Sequence, residues 1–234
     1  MALFAIADLH LSFGTDKPMD VFHGWEGYTD KLEKNWNACV KPEDTVVIAG
    51  DISWAMKLPE AEADFRYIDR LPGHKLILKG NHDLWWPTRR KLDAFLEEHG
   101  FSTISVVHNS AVRVGEFAVC GSRGWLYNAQ SEEDQKIVRR EVGRLETSLR
   151  MGEKLGGHPV VFLHYPPAYD HDVCEEILEV LLEHGISDCY FGHIHGSQAA
   201  KRAVMGQYRG IRMHLISCDY LSFCPLLVRP EKTL

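Results

Sequence analysis

Short apolar runs alternate with longer stretches of helical spacing along this chain. LFAIA (3–7), TVVIA (45–49), KLILK (75–79), STISVV (102–107), AVRV (111–114), FAVCG (117–121), PVVFL (159–163), DCYF (188–191), IRMHLIS (211–217) and FCPLLV (223–228) read as strands, being short and rich in β-branched or aromatic residues. Helices are expected at 28–39, 60–70, 88–99, 132–151 and 173–184. Ser131, with Asp134 three residues later, caps the start of the fourth, and Gly185 closes the fifth. Gly115-Glu116 turns AVRV back onto FAVCG as a hairpin. Strands separated by helices predict parallel pairing, whereas the hairpin and the closing strands predict antiparallel pairing. The expected class is therefore α/β, with mixed sheets covered by helices. No linker rich in Pro, Gly or Ser divides the chain, so residues 1–234 are expected to form a single domain. The stretch 122–157 is the candidate for a cap-like excursion from the core, and 11–30 is a second irregular segment.

Composition narrows the function classes without naming one. At 234 residues, with 45% hydrophobic and 25% charged residues, the chain is ordinary globular protein and can bury a sizeable core. Its net charge of −7, with no basic stripe, argues against long nucleic acid as a partner. The N-terminal MALFAIADLH lacks a basic start and meets Asp8 early, so it does not read as a signal peptide. No stretch approaches the ~20 apolar residues of a membrane helix, so no membrane association is expected. The six cysteines (Cys39, Cys120, Cys174, Cys189, Cys218, Cys224) contain no CxxC pair and read as ordinary thiols. A cytoplasmic location follows as the expectation, and the oligomeric state stays open.

The apolar runs share one kind of ending. LFAIA leads to Asp8 and His10, TVVIA to Gly50-Asp51, LILK to Gly80-Asn81-His82-Asp83, VVFL to His164, and CYF to Gly192-His193-Ile194-His195. In α/β sheets ligands bind just beyond the carboxyl ends of strands, so residues distant in sequence converge there. Carboxylate, amide oxygen and imidazole together suit borderline divalent ions, manganese, iron or zinc, whereas an all-oxygen set would suit magnesium or calcium. One ion leaves several of these donors unused, and two ions sharing a carboxylate use them all. Gly50, Gly80 and Gly192 each stand where the backbone must turn sharply off a strand.

In order, DLH (8–10), GD (50–51), GNHD (80–83), His164 and GHIH (192–195) resemble the signature blocks of the calcineurin-like metallophosphoesterase superfamily. The resemblance implies a four-layer α/β/β/α sandwich, with two mixed sheets flanked by helices and two divalent ions, manganese first, that hydrolyse phosphate esters. Carried over by position, Asp8, His10 and His195 would hold one ion, Asn81, His164 and His193 the other, and Asp51 would bridge them. His82 resembles the family's catalytic histidine, and Asp83 would orient its ring. Ions about 3.5–4 Å apart would activate a bridging hydroxide for in-line attack on phosphorus, with His82 assisting the leaving group.

The chain departs from the protein phosphatases of that superfamily. Leu11 follows His10 where they carry Gly, and Trp54 stands where they carry a second Asp. A small or medium phosphate ester is thus expected as the substrate, a diester before a monoester. A non-catalytic scaffold, the rival class, would have lost ligands, and none of the seven is missing. Among secondary candidates, Arg123 and Trp125 read as a structural loop pair and Tyr165-Pro166-Pro167 as a stiff turn. His23 and Trp25 read as a solvated loop or part of a lid, and Trp85 and Trp86 as a pocket wall or helix cap.

Overall fold

The computed structural model describes residues 1–125 and 131–229. The first sheet contains β1 (Leu3–Ile6), β2 (Thr45–Ala49), β3 (His74–Leu78) and β4 (Ile104–Val106), mutually parallel. Strand β13 (Leu226–Val228) joins it antiparallel, in the order β13-β1-β2-β3-β4. The second sheet is built on β6 (Phe117–Ser122), β7 (His158–Leu163), β10 (Asp188–Phe191) and β12 (Ile211–Leu215), again parallel. Its edges, β5 (Val112–Val114) and β11 (Gly206–Tyr208), pair antiparallel, giving β11-β12-β10-β7-β6-β5. A short hairpin, β8 (Ala168–Tyr169) and β9 (Asp172–Val173), stands apart from both.

Alternation along each strand explains the layering. Leu3, Ala5, Val47 and Leu76 of the first sheet face Val119, Val160, Phe162 and Tyr190 of the second, forming a core between the sheets. The other faces are covered as well: Phe4, Ile6, Val46 and Ile48 lie under α1 (Tyr28–Cys39), α2 (Glu62–Arg70) and α3 (Arg89–Glu98). Cys120, Val161, Leu163 and Phe191 lie under α4 (Glu132–Leu155) and α5 (Glu175–Glu183). Burial on both faces is why these strands are continuous apolar runs rather than alternating ones. The result is the expected four-layer α/β/β/α sandwich.

The stretch 122–157 differs from the expected excursion. Its helix α4 lies on the second sheet with Val138, Leu145 and Leu149 buried, and is one of the four layers. Residues 126–130 of that stretch lie outside the described residues. As expected, the Ser131 hydroxyl accepts from the Asp134 backbone N–H and caps α4. Strand β11 and the single-turn α6 (Ser197–Ala200) were not expected, because Gly206-Gln207-Tyr208 and Ser197-Gln198 carry no apolar pattern. Trp85 and Trp86 are buried in the helix-side core of the first sheet rather than walling a pocket. No helix among the described residues is long and apolar enough to cross a membrane.

Candidate metal centre

The two sheets are stitched together at one end. Ala7, just past β1, bridges in parallel to Ser217, past β12, with Ala7 N donating to Ile216 O at 2.8 Å and Cys218 N to Ala7 O at 3.0 Å. The loops leaving β1 and β2 continue the pairing, with Asp8 N to Gly50 O, His10 N to Asp51 O and Leu11 N to Ile52 O, each at 2.9 Å. The carboxyl ends of strands from both sheets therefore meet in one small volume.

Two clusters of donor atoms share that volume. In one, His10 Nε2 and His195 Nε2 approach to 3.1 Å, with Asp8 Oδ1 3.7 Å from His195 Nε2 and Asp51 Oδ2 3.8 Å from His10 Nε2. In the other, Asn81 Oδ1 lies 2.6 Å from His164 Nε2 and 2.9 Å from His193 Nδ1, and Asp51 Oδ2 is 3.5 Å from His164 Nε2. Asp51 Oδ2 faces both clusters, while its Oδ1 accepts the His82 backbone N–H at 2.8 Å. Asp8, His10 and His195 offer ligand atoms within 4.8 Å of one another, and so do Asp8, Asp51 and His164. All seven residues singled out as ligands are thus brought together.

The backbone is bent to achieve this. Asp8, His10, Asp51 and His193 all have positive φ, at 62°, 46°, 50° and 70°, a conformation that costs a non-glycine residue on the order of 1–3 kcal/mol and persists only where surrounding contacts impose it. A Cβ on Gly80 would overlap the Asp51 carboxylate, and one on Gly192 would press on Asp8 Oδ2 and Ala7. Glycine is required at both places by close approach.

Electrostatics favour the neutral form of three of the imidazoles and put the carboxylates in tension. Burial, with neighbouring histidines adding to it, holds His10 and His164 well below the ordinary range and brings His193 down to about 4. Burial, then Asp83 and Asp8, push Asp51 up to about 9. Burial also raises Asp8 to about 6. For His195 burial opposes the charge, yet Asp8 and Asp219 outweigh it and raise the pKa. Neutral nitrogen lone pairs and crowded carboxylates around one point make a donor set that divalent cations relieve, so the residues present fit two metal ions.

Asp83 departs from expectation. Its oxygens accept backbone N–H groups from Asp51 (2.9 Å), Ile52 (2.9 Å), Ser53 (3.3 Å) and Gly80 (2.7 Å), and they clamp the two ligand loops together rather than aiming the His82 ring. Its adjacency to His82 in sequence is misleading, because a sharp turn sends consecutive side chains to opposite sides. The exposed His82 ring instead lies against Trp54, centroids 4.5 Å apart, and edge-on to His10 at 5.8 Å. Burial, then His195 and Lys17, lower its pKa.

Sequence reasoning missed Asp219. It accepts His195 Nδ1–H at 3.0 Å and the Gly196 N–H at 2.8 Å, fixing the tautomer that aims His195 Nε2 at His10. The only signal was an Asp just past IRMHLIS, and the histidine nearest to it in sequence, His214, is not the one it orients. Trp25 and Trp54 were also undervalued. Trp25 is buried, and both indoles lie against His10, at 6.0 and 4.8 Å. Arg123 does form the expected structural pair, its guanidinium 4.6 Å over Trp125 and 3.4 Å from the buried Glu141. Its carbonyl accepts the N–H groups of His164 and Tyr165, which steadies that turn.

Two face-to-face mixed sheets with carboxylates, an amide and imidazoles at their shared strand ends define a metal-dependent hydrolase of the sandwich type. The calcineurin-like phosphoesterase family model matches residues 1–197, and the chain belongs to that family. It is therefore a metal-dependent phosphoesterase, of a family that uses two divalent ions. No curated protein gives a significant match. Among solved structures, the phosphopantetheinyl hydrolase of Mycobacterium tuberculosis is similar at 14% identity, TM-score 0.59, with 100% of this chain and 97% of that one covered. A protein of unknown function from Aquifex aeolicus, AQ665, is similar at 16% identity, TM-score 0.51, covering 97% and 95%. The protein TT1561 of Thermus thermophilus follows at 14% identity, TM-score 0.54, covering 83% and 82%. At these identities the likeness is one of fold.

Proposed function

We propose that the protein is a phosphodiesterase acting on small or medium esters, with Asp8, His10 and His195 holding one ion, Asn81, His164 and His193 the other, and Asp51 shared. The observation that carries the diester reading is a cavity of about 410 Å³ opening beside His10, His82 and His195. Its remaining walls are Met19, Phe22, His23, Trp25, Trp54, Gly196 and Asp219, with no arginine or lysine among the described residues in the lining itself and a single ammonium, Lys17, over the Trp54 ring. A monoester dianion calls for extra cationic donors there, whereas a diester carries a single charge and a second organic group. The volume is in the range of small-molecule sites.

Two divalent ions, when bound, supply Lewis-acid activation of water and neutralise charge on the phosphoryl oxygens. The chain's residues do the rest. Asp83 holds the Asp51 and Gly80 loops at fixed spacing, Asp219 fixes the His195 tautomer, and the His82 imidazole N–H is offered to the departing oxygen. Manganese is the metal of choice for this mixed oxygen and nitrogen set, with iron or zinc as alternatives. The free cysteines suit the reducing cytoplasm.

The test is hydrolysis of bis(p-nitrophenyl) phosphate and p-nitrophenyl phosphate side by side by manganese-loaded protein, with Asp51→Asn as the blank. Diester turnover that vanishes in the blank is expected. Preferential monoester turnover would reverse the assignment, and inactivity on both with two metals bound would favour a non-catalytic scaffold.

A further inference from the structure

The cavity beside the metal centre has an unusual set of walls for a phosphate site. It is lined by His10, His82 and His195 together with Met19, Phe22, Trp25 and Trp54. Neither indole is a loose surface ring. Trp25 stands edge-on to Tyr28 at 5.1 Å and to Phe223 at 5.3 Å, and is buried. Trp54 stacks on His10 at 4.8 Å and donates its N–H to Met19 Sδ at 3.2 Å. Lys17 Nζ lies 5.2 Å over the Trp54 ring. Phe22, at 55% exposed, is the one aromatic wall that stands largely in water. An exposed ring at the mouth of an apolar cavity gains by covering a ligand.

The position of His82 decides which part of a substrate the cavity receives. Hydrolysis joins the oxygen of water to phosphorus, breaks the bond to the departing oxygen and delivers one proton to that oxygen. The group beyond the departing oxygen must therefore lie next to His82, and the space next to His82 is this cavity. The group that stays on phosphorus has no such constraint.

We infer that the cavity is the leaving-group site and that it selects a flat aromatic or heteroaromatic group, with Trp25 and Trp54 as fixed walls and Phe22 as the closing one. This rests on the phosphoesterase reading above and deepens it by naming the alcohol that leaves. The preference for a flat ring follows from the walls: Trp25, Trp54 and Phe22 present ring faces and edges against which a planar ring packs offset or edge-on, a gain that a puckered ring of equal carbon count lacks. The lining also includes Asp219 and His23, polar groups able to accept from a ring that carries hydrogen-bond donors.

The test separates binding from turnover. Zinc-loaded, diamagnetic protein is titrated with benzyl alcohol and, separately, with cyclohexylmethanol, following the indole N–H resonances of Trp25 and Trp54. Benzyl alcohol is expected to move both signals and to bind at least about tenfold more tightly than its puckered counterpart. Phe22→Ala is expected to weaken benzyl alcohol severalfold, and an unchanged far-ultraviolet spectrum checks that a change at this exposed position leaves the fold intact. Equal affinity for the two alcohols would overturn the selection for flat groups, and no movement of either indole would overturn the site itself. Because no bond is broken in this titration, its result stands apart from the assay of diester hydrolysis. Binding without diester turnover would sink the phosphodiesterase reading alone, and turnover without indole movement would sink this inference alone.

Discussion

The Asp219 carboxylate accepts the Nδ1–H of His195 at 3.0 Å and so turns His195 Nε2 toward His10 Nε2, 3.1 Å away. Carboxylates that orient a ligating histidine are typically worth about 10–100-fold in metal affinity. Asp219→Ala is expected to weaken one of the two metal sites by that factor and leave the other unchanged, as read by competitive zinc titration. Asp219→Asn, which keeps an acceptor for His195, is expected to lose less. Equal loss at both sites in either variant would show that Asp219 acts on the loop as a whole.

His82 approaches the donor clusters without contributing an atom to them, its ring lying against Trp54 and edge-on to His10. His82→Ala is expected to lower kcat by about 10²–10⁴-fold, the usual value of proton-transfer assistance. Metal content by mass spectrometry should stay at two ions per chain. Loss of metal along with activity would make His82 a ligand instead.

Asp83 distinguishes two roles cleanly. As a clamp for the N–H groups of Gly80 and residues 51–53, it should matter for folding as well as for turnover. Hydrogen bonds to a buried carboxylate are worth about 1.5–3 kcal/mol, and Asp83→Asn turns one of its oxygens into a donor facing donors. We expect a loss of about 3 kcal/mol in urea unfolding, seen as a lower midpoint at unchanged slope, with weaker metal binding. A variant of native stability with reduced kcat would restore the role of aiming His82.

The layers and the seven donors were legible because both depend on local rules. Strand interiors buried on both faces must be apolar, as in residues 46–49 and 189–191, and a polar residue directly after such a run projects at the strand end. What the sequence concealed depends on the third dimension. Asp83 follows His82 but faces the other way, to the amides of residues 51–53, because the turn at Gly80 is set by contact with Asp51. Asp219 is 24 residues from the histidine it orients. Trp25 sits in a segment rich in Gly and Asp that reads as loop, yet Tyr28 and Phe223 enclose it. Helix α4 looked charged enough to leave the core, but its charges occupy the solvent side while Val138, Leu145 and Leu149 reach the sheet.

Asp64 ties the 11–30 segment to the loop after β2, accepting the Phe13 backbone N–H at 2.8 Å and the Ser53 hydroxyl. Burial raises its pKa from 3.8 to about 6, although both hydrogen bonds pull the other way. Between those two values the folded protein keeps a proton that the unfolded chain has lost, so stability falls as pH rises from about 4 to about 6 and stays lower above that. The span of about two units corresponds to on the order of 3 kcal/mol. Asparagine can offer an oxygen to Phe13 N–H and an amide to Ser53 Oγ without any charge. Asp64→Asn is therefore expected to gain stability relative to the natural protein as pH rises, nearly level at pH 4 and ahead by about 1–3 kcal/mol at pH 7.5. Urea unfolding at the two pH values measures this directly. A difference that does not change with pH would mean that the Asp64 carboxyl titrates alike in the folded and unfolded chain, and that its burial is compensated by groups beyond Phe13 and Ser53.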